Sequence, residues 1–250
     1  MNENNRQLIQ YLIELRSRLL KCLFILFVIF AILVCFSNEL YTFLALPLLK
    51  NLPEGRGLIA TNIVSSFFVP FELAFVTAIF ASIPFFLYHL WAFIAPALYQ
   101  RERRLMQPLL FISTLLFYLG AAFAYFIIFP ILFAFFAHAA PAGVMLSPDI
   151  SQYLDFTLKL FLIFGTLFEV PVIICLLVWA NIVSREKFIK IRPYAIVSAF
   201  VMGMLLAPPD VLSQTLFAIP LWLLFEIGIM LSGFLERKQK ECHDSRGKRG

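Results

Sequence analysis

The sequence predicts an all-α membrane protein of six transmembrane helices, and three observations carry that prediction. Apolar residues make up 62% of the 250-residue chain and charged residues only 14%, against roughly 45–50% and about 25% in soluble domains. The remaining charge is bunched into short segments separated by uncharged runs, and about 20 such residues suffice to cross a hydrocarbon core of roughly 30 Å. The basic bunches also alternate along the chain as an even number of spans requires. The 30 phenylalanines fit the same class, because so many rings on a wetted surface would drive aggregation. The basic residues lie in separate runs rather than in one patch with interleaved aromatics, which argues against nucleic-acid binding.

Leu8, Leu12, Leu15 and Leu19 recur at helical spacing, so an amphipathic surface helix is expected from about Arg6. The first span covers 22–38, uncharged between Lys21 and Glu39; no small-residue cleavage site follows, so it is expected to stay as a signal anchor. A long loop, 37–69, turns at Pro53-Glu54-Gly55. The second span, 71–96, contains Pro84; the third, 109–136, contains Pro130; the fourth, 156–179, contains Pro171. The fifth, 193–206, is bounded by Pro193 and by Pro208-Pro209. That leaves about 14 residues of helix, roughly 21 Å, so local bilayer thinning or burial against neighbours is expected. The sixth span, 211–235, contains Pro220 and is also expected to be short. Together these predict a kinked, concave bundle forming one domain, 1–236, followed by a disordered basic tail, 237–250.

Charge sets the orientation. With the N-terminus on the cytoplasmic side, the inner segments hold Arg6, Arg16, Arg18 and Lys21, then Arg101, Arg103 and Arg104, then Arg185, Lys187, Lys190 and Arg192, then the tail. Of the 20 basic residues only Lys50, Arg56 and Lys159 fall elsewhere, which predicts both termini inside.

Ionisable groups at membrane depth are costly and need an explanation. Glu169 is expected halfway along the fourth span, either protonated or hydrogen-bonded in a hydrated cavity, or else satisfied by backbone groups freed at Pro171. For Glu226 an interhelical or snorkelling structural role is expected, and Asp155 and Lys159 can pair locally at i,i+4. At the cytoplasmic face two readings stand side by side. Glu14 can pair with Arg18 at i,i+4, and Glu102 can balance Arg101, Arg103 and Arg104. Alternatively the two carboxylates, brought together, can each accept a guanidinium in bidentate fashion, which lysine cannot reproduce. Cys22, Cys35, Cys175 and Cys242 show neither pairing nor metal spacing, and His89, His138 and His243 stand alone. No nucleophile, phosphate-binding or zinc motif occurs, so an enzyme, a metal and a cofactor are not expected.

Six strings in order add a resemblance. They are Tyr11-Leu12-Ile13-Glu14-Leu15-Arg16-Ser17-Arg18, Leu90-Trp91-Ala92-Phe93-Ile94-Ala95-Pro96-Ala97-Leu98-Tyr99 with Glu102-Arg103-Arg104, Phe117-Tyr118-Leu119-Gly120, Phe168-Glu169-Val170-Pro171, Pro208-Pro209-Asp210-Val211, and Ser213-Gln214. Together they resemble the TatC family, the six-span core subunit of the twin-arginine protein translocase. The resemblance implies a receptor in the bacterial cytoplasmic membrane that binds paired-arginine signal peptides of folded precursors. It also implies work with TatA, TatB and further TatC copies on the proton-motive force. Signal-peptide contact would map to Glu14, Arg16, Arg18, Phe93 and Glu102, which shifts the weight toward Glu14 and Glu102 as acceptors for the two signal arginines. Partner-subunit contact would map to Met204, Asp210 and Gln214. Glu169 matches the family's intramembrane glutamate and Pro47 its outer-loop proline, whereas Asp155 and Lys159 match nothing. The alternative is an ion-coupled secondary transporter with Glu169 carrying the coupling proton, although no inverted repeat is visible.

Overall fold

The computed structural model describes residues 3–37, 39–40, 63–94, 106–132, 149–180, 182–206 and 211–247. Helices dominate every one of these segments: α1 (Glu3–Val34), α2 (Ile63–Ile94), α3 (Met106–Phe123), α4 (Ile150–Leu167), α5 (Val170–Trp179), α6 (Arg185–Leu206) and α7 (Val211–Gly247). Among the described residues five stretches are long and apolar enough to cross a membrane: Ile9–Val34, Phe68–Phe93, Gln107–Leu132, Ser151–Trp179 and Ser213–Phe234. They correspond to the expected spans one to four and six. The surface helix expected ahead of the first span is continuous with it in α1.

The fifth span needs correction at its start. α6 runs unbroken for 22 residues and carries Pro193 in its interior rather than at its boundary. Pro193 removes the N–H that would meet the Ile189 carbonyl, yet the helix continues to Leu206. Its first two turns hold Arg185, Lys187, Lys190 and Arg192, so the apolar part is still only about 14 residues, roughly 21 Å.

Prolines act differently in the other spans. Pro171 has no N–H for the Leu167 carbonyl and its ring crowds that oxygen, so α4 ends at Leu167. The Glu169 N–H donates instead to the Thr166 carbonyl at 3.1 Å, and α5 opens with the proline in its first turn. Ahead of Pro130 the chain passes through a π-turn, Ala124–Ile128, the usual relief for a mismatched ladder. α2 continues through Pro70 and Pro84, and α7 through Pro220. α7 also stays helical to Gly247, where a disordered tail is expected. No proline or glycine interrupts Glu236 to Arg246, and Glu236–Lys240 has the favourable i,i+4 charge order.

Contacts gather in two compact units, Met1–Thr114 with Ala139–Lys159, and Leu115–His138 with Leu160–Gly250. In the first, α1 packs on α2 through a narrow stripe that buries Cys22 and Leu26. Phe30 meets Phe75 edge-on at 5.6 Å. Trp91 Nε1 on α2 donates to Ser113 Oγ on α3 at 3.1 Å, a buried bond. Asp149 caps α4, accepting from the Ser151 N–H at 2.9 Å.

In the second unit α7 packs against both α5 and α6. Phe164 and Phe217 are fully buried, their rings 5.9 Å apart. Glycine permits the tightest approaches: a Cβ on Gly120 would lie 2.5 Å from the Phe164 carbonyl oxygen, and one on Gly228 2.8 Å from Ile174 Cδ1. Arg192 on α6 donates to Glu226 on α7, which answers the question of what a glutamate does within the apolar stretch of α7. Arg185 Nε donates to the Ile229 carbonyl at 3.3 Å.

Two consequences can be measured. Gly120→Ala should lower stability by about 1–3 kcal/mol, because backbone blocks the new methyl. Gly233→Ala, whose methyl meets the movable Arg185 side chain, should cost less; equal thermal midpoints in detergent would contradict this account. In a double-mutant cycle, Arg192→Ala and Glu226→Ala should show a coupling of about 0.5–3 kcal/mol, and strict additivity would mean that the pair contributes nothing.

Candidate functional site

On α1, Ile13, Glu14, Ser17, Arg18 and Lys21 recur at helical spacing and present one face. Opposite them on α2 stand Tyr88 and His89, and the two helices enclose a groove of about 500 Å³. Both helices belong to the same compact unit. His89 is held edge-on by Phe85 at 4.6 Å and Tyr88 at 5.4 Å between ring centroids. Its Nδ1 is buried with no hydrogen-bond partner among the described residues.

Glu14 is the acid of this groove. Arg18 Nε and Nη2 both donate to Glu14 Oε1, at 2.9 and 2.6 Å, so the i,i+4 pair is formed. The bonds converge on one oxygen and do not use Oε2. The carboxylate is 39% exposed and reachable from outside. With Arg18 and Lys21 beside it, the described lining carries more positive than negative charge.

The other expected site residues separate. Arg16 lies on the neighbouring face of α1, in a second hollow of about 640 Å³ with Leu20, Phe24 and Phe85. It does not line the Glu14 groove. Phe93 is half-buried on α2, one turn beyond His89. Glu102, Asp210 and Pro47 lie outside the described residues. In the second unit Met204 is 60% exposed on α6, and the adjacent Gly203 would bring a Cβ to 3.0 Å from the Gln214 carbonyl oxygen. Gly203 and Gln214 therefore meet at an α6–α7 contact, while the neighbouring Met204 is exposed.

Glu169 is 6% exposed and sits at the α4–α5 break, where its carbonyl accepts from the Ile173 N–H at 2.9 Å. Asp155 and Lys159 form the expected i,i+4 pair at 2.6 Å. Among the described residues no His, Cys, Asp and Glu cluster could hold a metal. Sequence reading missed Tyr88, His89, Ser17 and Lys21 as groove residues. The α1 members share the helical phase of Glu14 and were open to discovery that way; Tyr88 and His89 follow only from packing.

Comparison with known proteins agrees with this architecture. The family model described as "Sec-independent protein translocase protein (TatC)" matches residues 10–220. The Sec-independent protein translocase protein TatC of Haemophilus influenzae (strain ATCC 51907 / DSM 11121 / KW20 / Rd) is 53% identical over 239 residues, covering 96% of this chain and 93% of the relative. Its namesake in Escherichia coli (strain K12) is 55% identical over 232 residues, covering 93% and 90%. A solved structure described as "Crystal Structure of Twin Arginine Translocase Receptor- TatC" superposes with a TM-score of 0.81 at 38% identity, covering 90% of this chain and 98% of that one. Family match, identity along nearly the whole length and shared helical architecture lead to one conclusion: the chain belongs to the TatC family, membrane components of a protein translocase rather than enzymes.

Proposed function

We propose that this protein is the signal-peptide receptor and core component of a twin-arginine translocase in the bacterial cytoplasmic membrane. It binds paired-arginine signal peptides of folded precursors, working with TatA, TatB and further copies of itself on the proton-motive force. Both termini lie on the cytoplasmic side, from which precursors arrive. The whole-length match to a translocase family displaces the ion-coupled transporter reading.

The observation that carries the site is Glu14, an accessible carboxylate that already accepts a guanidinium through two N–H donors. A guest arginine finds acceptor geometry in place, with Oε2 still to offer. A guest arginine that takes Oε2 while Arg18 keeps Oε1 adds one positive charge to the groove and leaves no carboxylate unpaired. A guest lysine supplies a point charge without the planar fork and binds less well. Glu102, in the first cytoplasmic loop, is the acceptor for the second arginine, and Arg16, Arg18 and Phe93 complete the contact. Partner subunits meet Met204, Asp210 and Gln214, of which Met204 is exposed on α6. Glu169 serves as the intramembrane polar group and Pro47 supports the outer loop.

Photo-crosslinking of a paired-arginine signal peptide to the protein in membrane vesicles tests this reading. Glu14→Ala and Glu102→Ala should each reduce crosslinking by about ten-fold or more, the loss expected for a charge-assisted hydrogen bond. Undiminished crosslinking in both variants would overturn the site.

A further inference from the structure

The second hollow between α1 and α2 has a chemistry the first lacks. Along α1 its polar side chains, Arg16, Ser17 and Lys21, all precede Phe24 and Ile25, with the apolar Ile13 and Leu20 among the polar ones and Phe85 across from them on α2. Among the described residues no acidic side chain lines it. Arg16 and Lys21 are exposed, and neither has an ion pair among the described residues, whereas Arg18 is committed to Glu14.

The division coincides with the edge of the hydrocarbon. Lys21 is the last charged residue before the uncharged stretch that starts at Cys22. The two cations therefore sit at headgroup height, and the apolar part of the hollow opens alongside the first turns inside the bilayer. Phe24 is 70% exposed and Leu20 53%, so the slot is open laterally to lipid. Its volume, about 640 Å³, holds a phosphate and the upper part of an acyl chain.

We propose that this hollow is a binding site for one anionic phospholipid of the leaflet at the N-terminal end of α1, with the phosphate between Arg16 and Lys21 and an acyl chain against Phe24 and Phe85. The charge complementarity selects an anionic headgroup over a zwitterionic one, because two cations near the surface each favour it. The apolar floor selects a lipid over a free phosphate, which has nothing to place there. The hollow adjoins the Glu14 groove, sharing Ile13, Ser17 and Lys21 with it, and Arg16 is also among the proposed peptide contacts; lipid retention is read without any peptide present.

Native mass spectrometry of the full chain in a neutral detergent tests this, with phosphatidylglycerol and phosphatidylcholine of identical acyl chains as probes and glycerol phosphate as a chain-free control. Phosphatidylglycerol should be retained on the order of ten-fold more than phosphatidylcholine, and glycerol phosphate should not be retained. Arg16→Gln with Lys21→Gln should abolish the preference while leaving phosphatidylcholine retention and the thermal midpoint unchanged, since both residues are exposed. Phe24→Ala should lower retention of both lipids. Equal retention of the two lipids by the unaltered protein, or a preference that survives the double substitution, would overturn the proposal. Retention of glycerol phosphate at the level of the anionic lipid would replace it with a simple anion site.

Discussion

Hydrocarbon offers no hydrogen bonds, so each backbone N–H and C=O within it must find a partner in the protein. Everything else in this structure is arranged around that demand. Uninterrupted helix answers it directly, and several hydroxyls in the spans conform by bonding back to their own helix. Thr77 donates to the Leu73 carbonyl at 2.7 Å, Thr157 to Tyr153 at 2.8 Å and Ser232 to Ile229 at 2.8 Å. Proline breaks the pattern, and the chain responds in three ways: a clean break at Phe168–Glu169, a π-turn ahead of Pro130, and uninterrupted passage at Pro84, Pro193 and Pro220.

Once backbones are satisfied internally, helices in lipid associate by shape and by a few polar contacts. Gly120 and Gly228 let α3 approach α4 and α7 approach α5. Among the described residues one interhelical ion pair, Arg192 to Glu226, joins α6 to α7. Glu14 follows the other course, pairing within its own helix, which leaves its outer side open to a visitor. The contrast separates a charge that joins two helices from one that stays on its own helix and remains accessible.

What was legible in the sequence was what depends on neighbours along the chain. Apolar runs located the spans, and i,i+4 spacing located Glu14–Arg18 and Asp155–Lys159. The rest depends on phase and packing. Arg16 and Arg18 are two residues apart, hence about 200° apart around the helix, and they enter different hollows; adjacency in sequence concealed this. Tyr88 and His89 join the groove only because α2 turns them toward α1. The breaker rule overreached at Pro193, where the helix persists without one hydrogen bond, and charge alone suggested disorder beyond Glu236 where good helix formers sustain α7.

The short apolar part of α6 has an elastic consequence. About 21 Å of apolar helix in a core of roughly 30 Å leaves a deficit of about 9 Å, and mismatch costs fractions of a kcal/mol per ångström. Were this helix to cross the bilayer alone, the lipid ring around it would be compressed and would store a few kcal/mol at most. Its outward face, with Tyr194 73%, Val197 62%, Val201 52% and Met204 60% exposed, is where that ring would press. A neighbouring helix covering that face would then release the compressed lipid, and the energy released would grow with bilayer thickness.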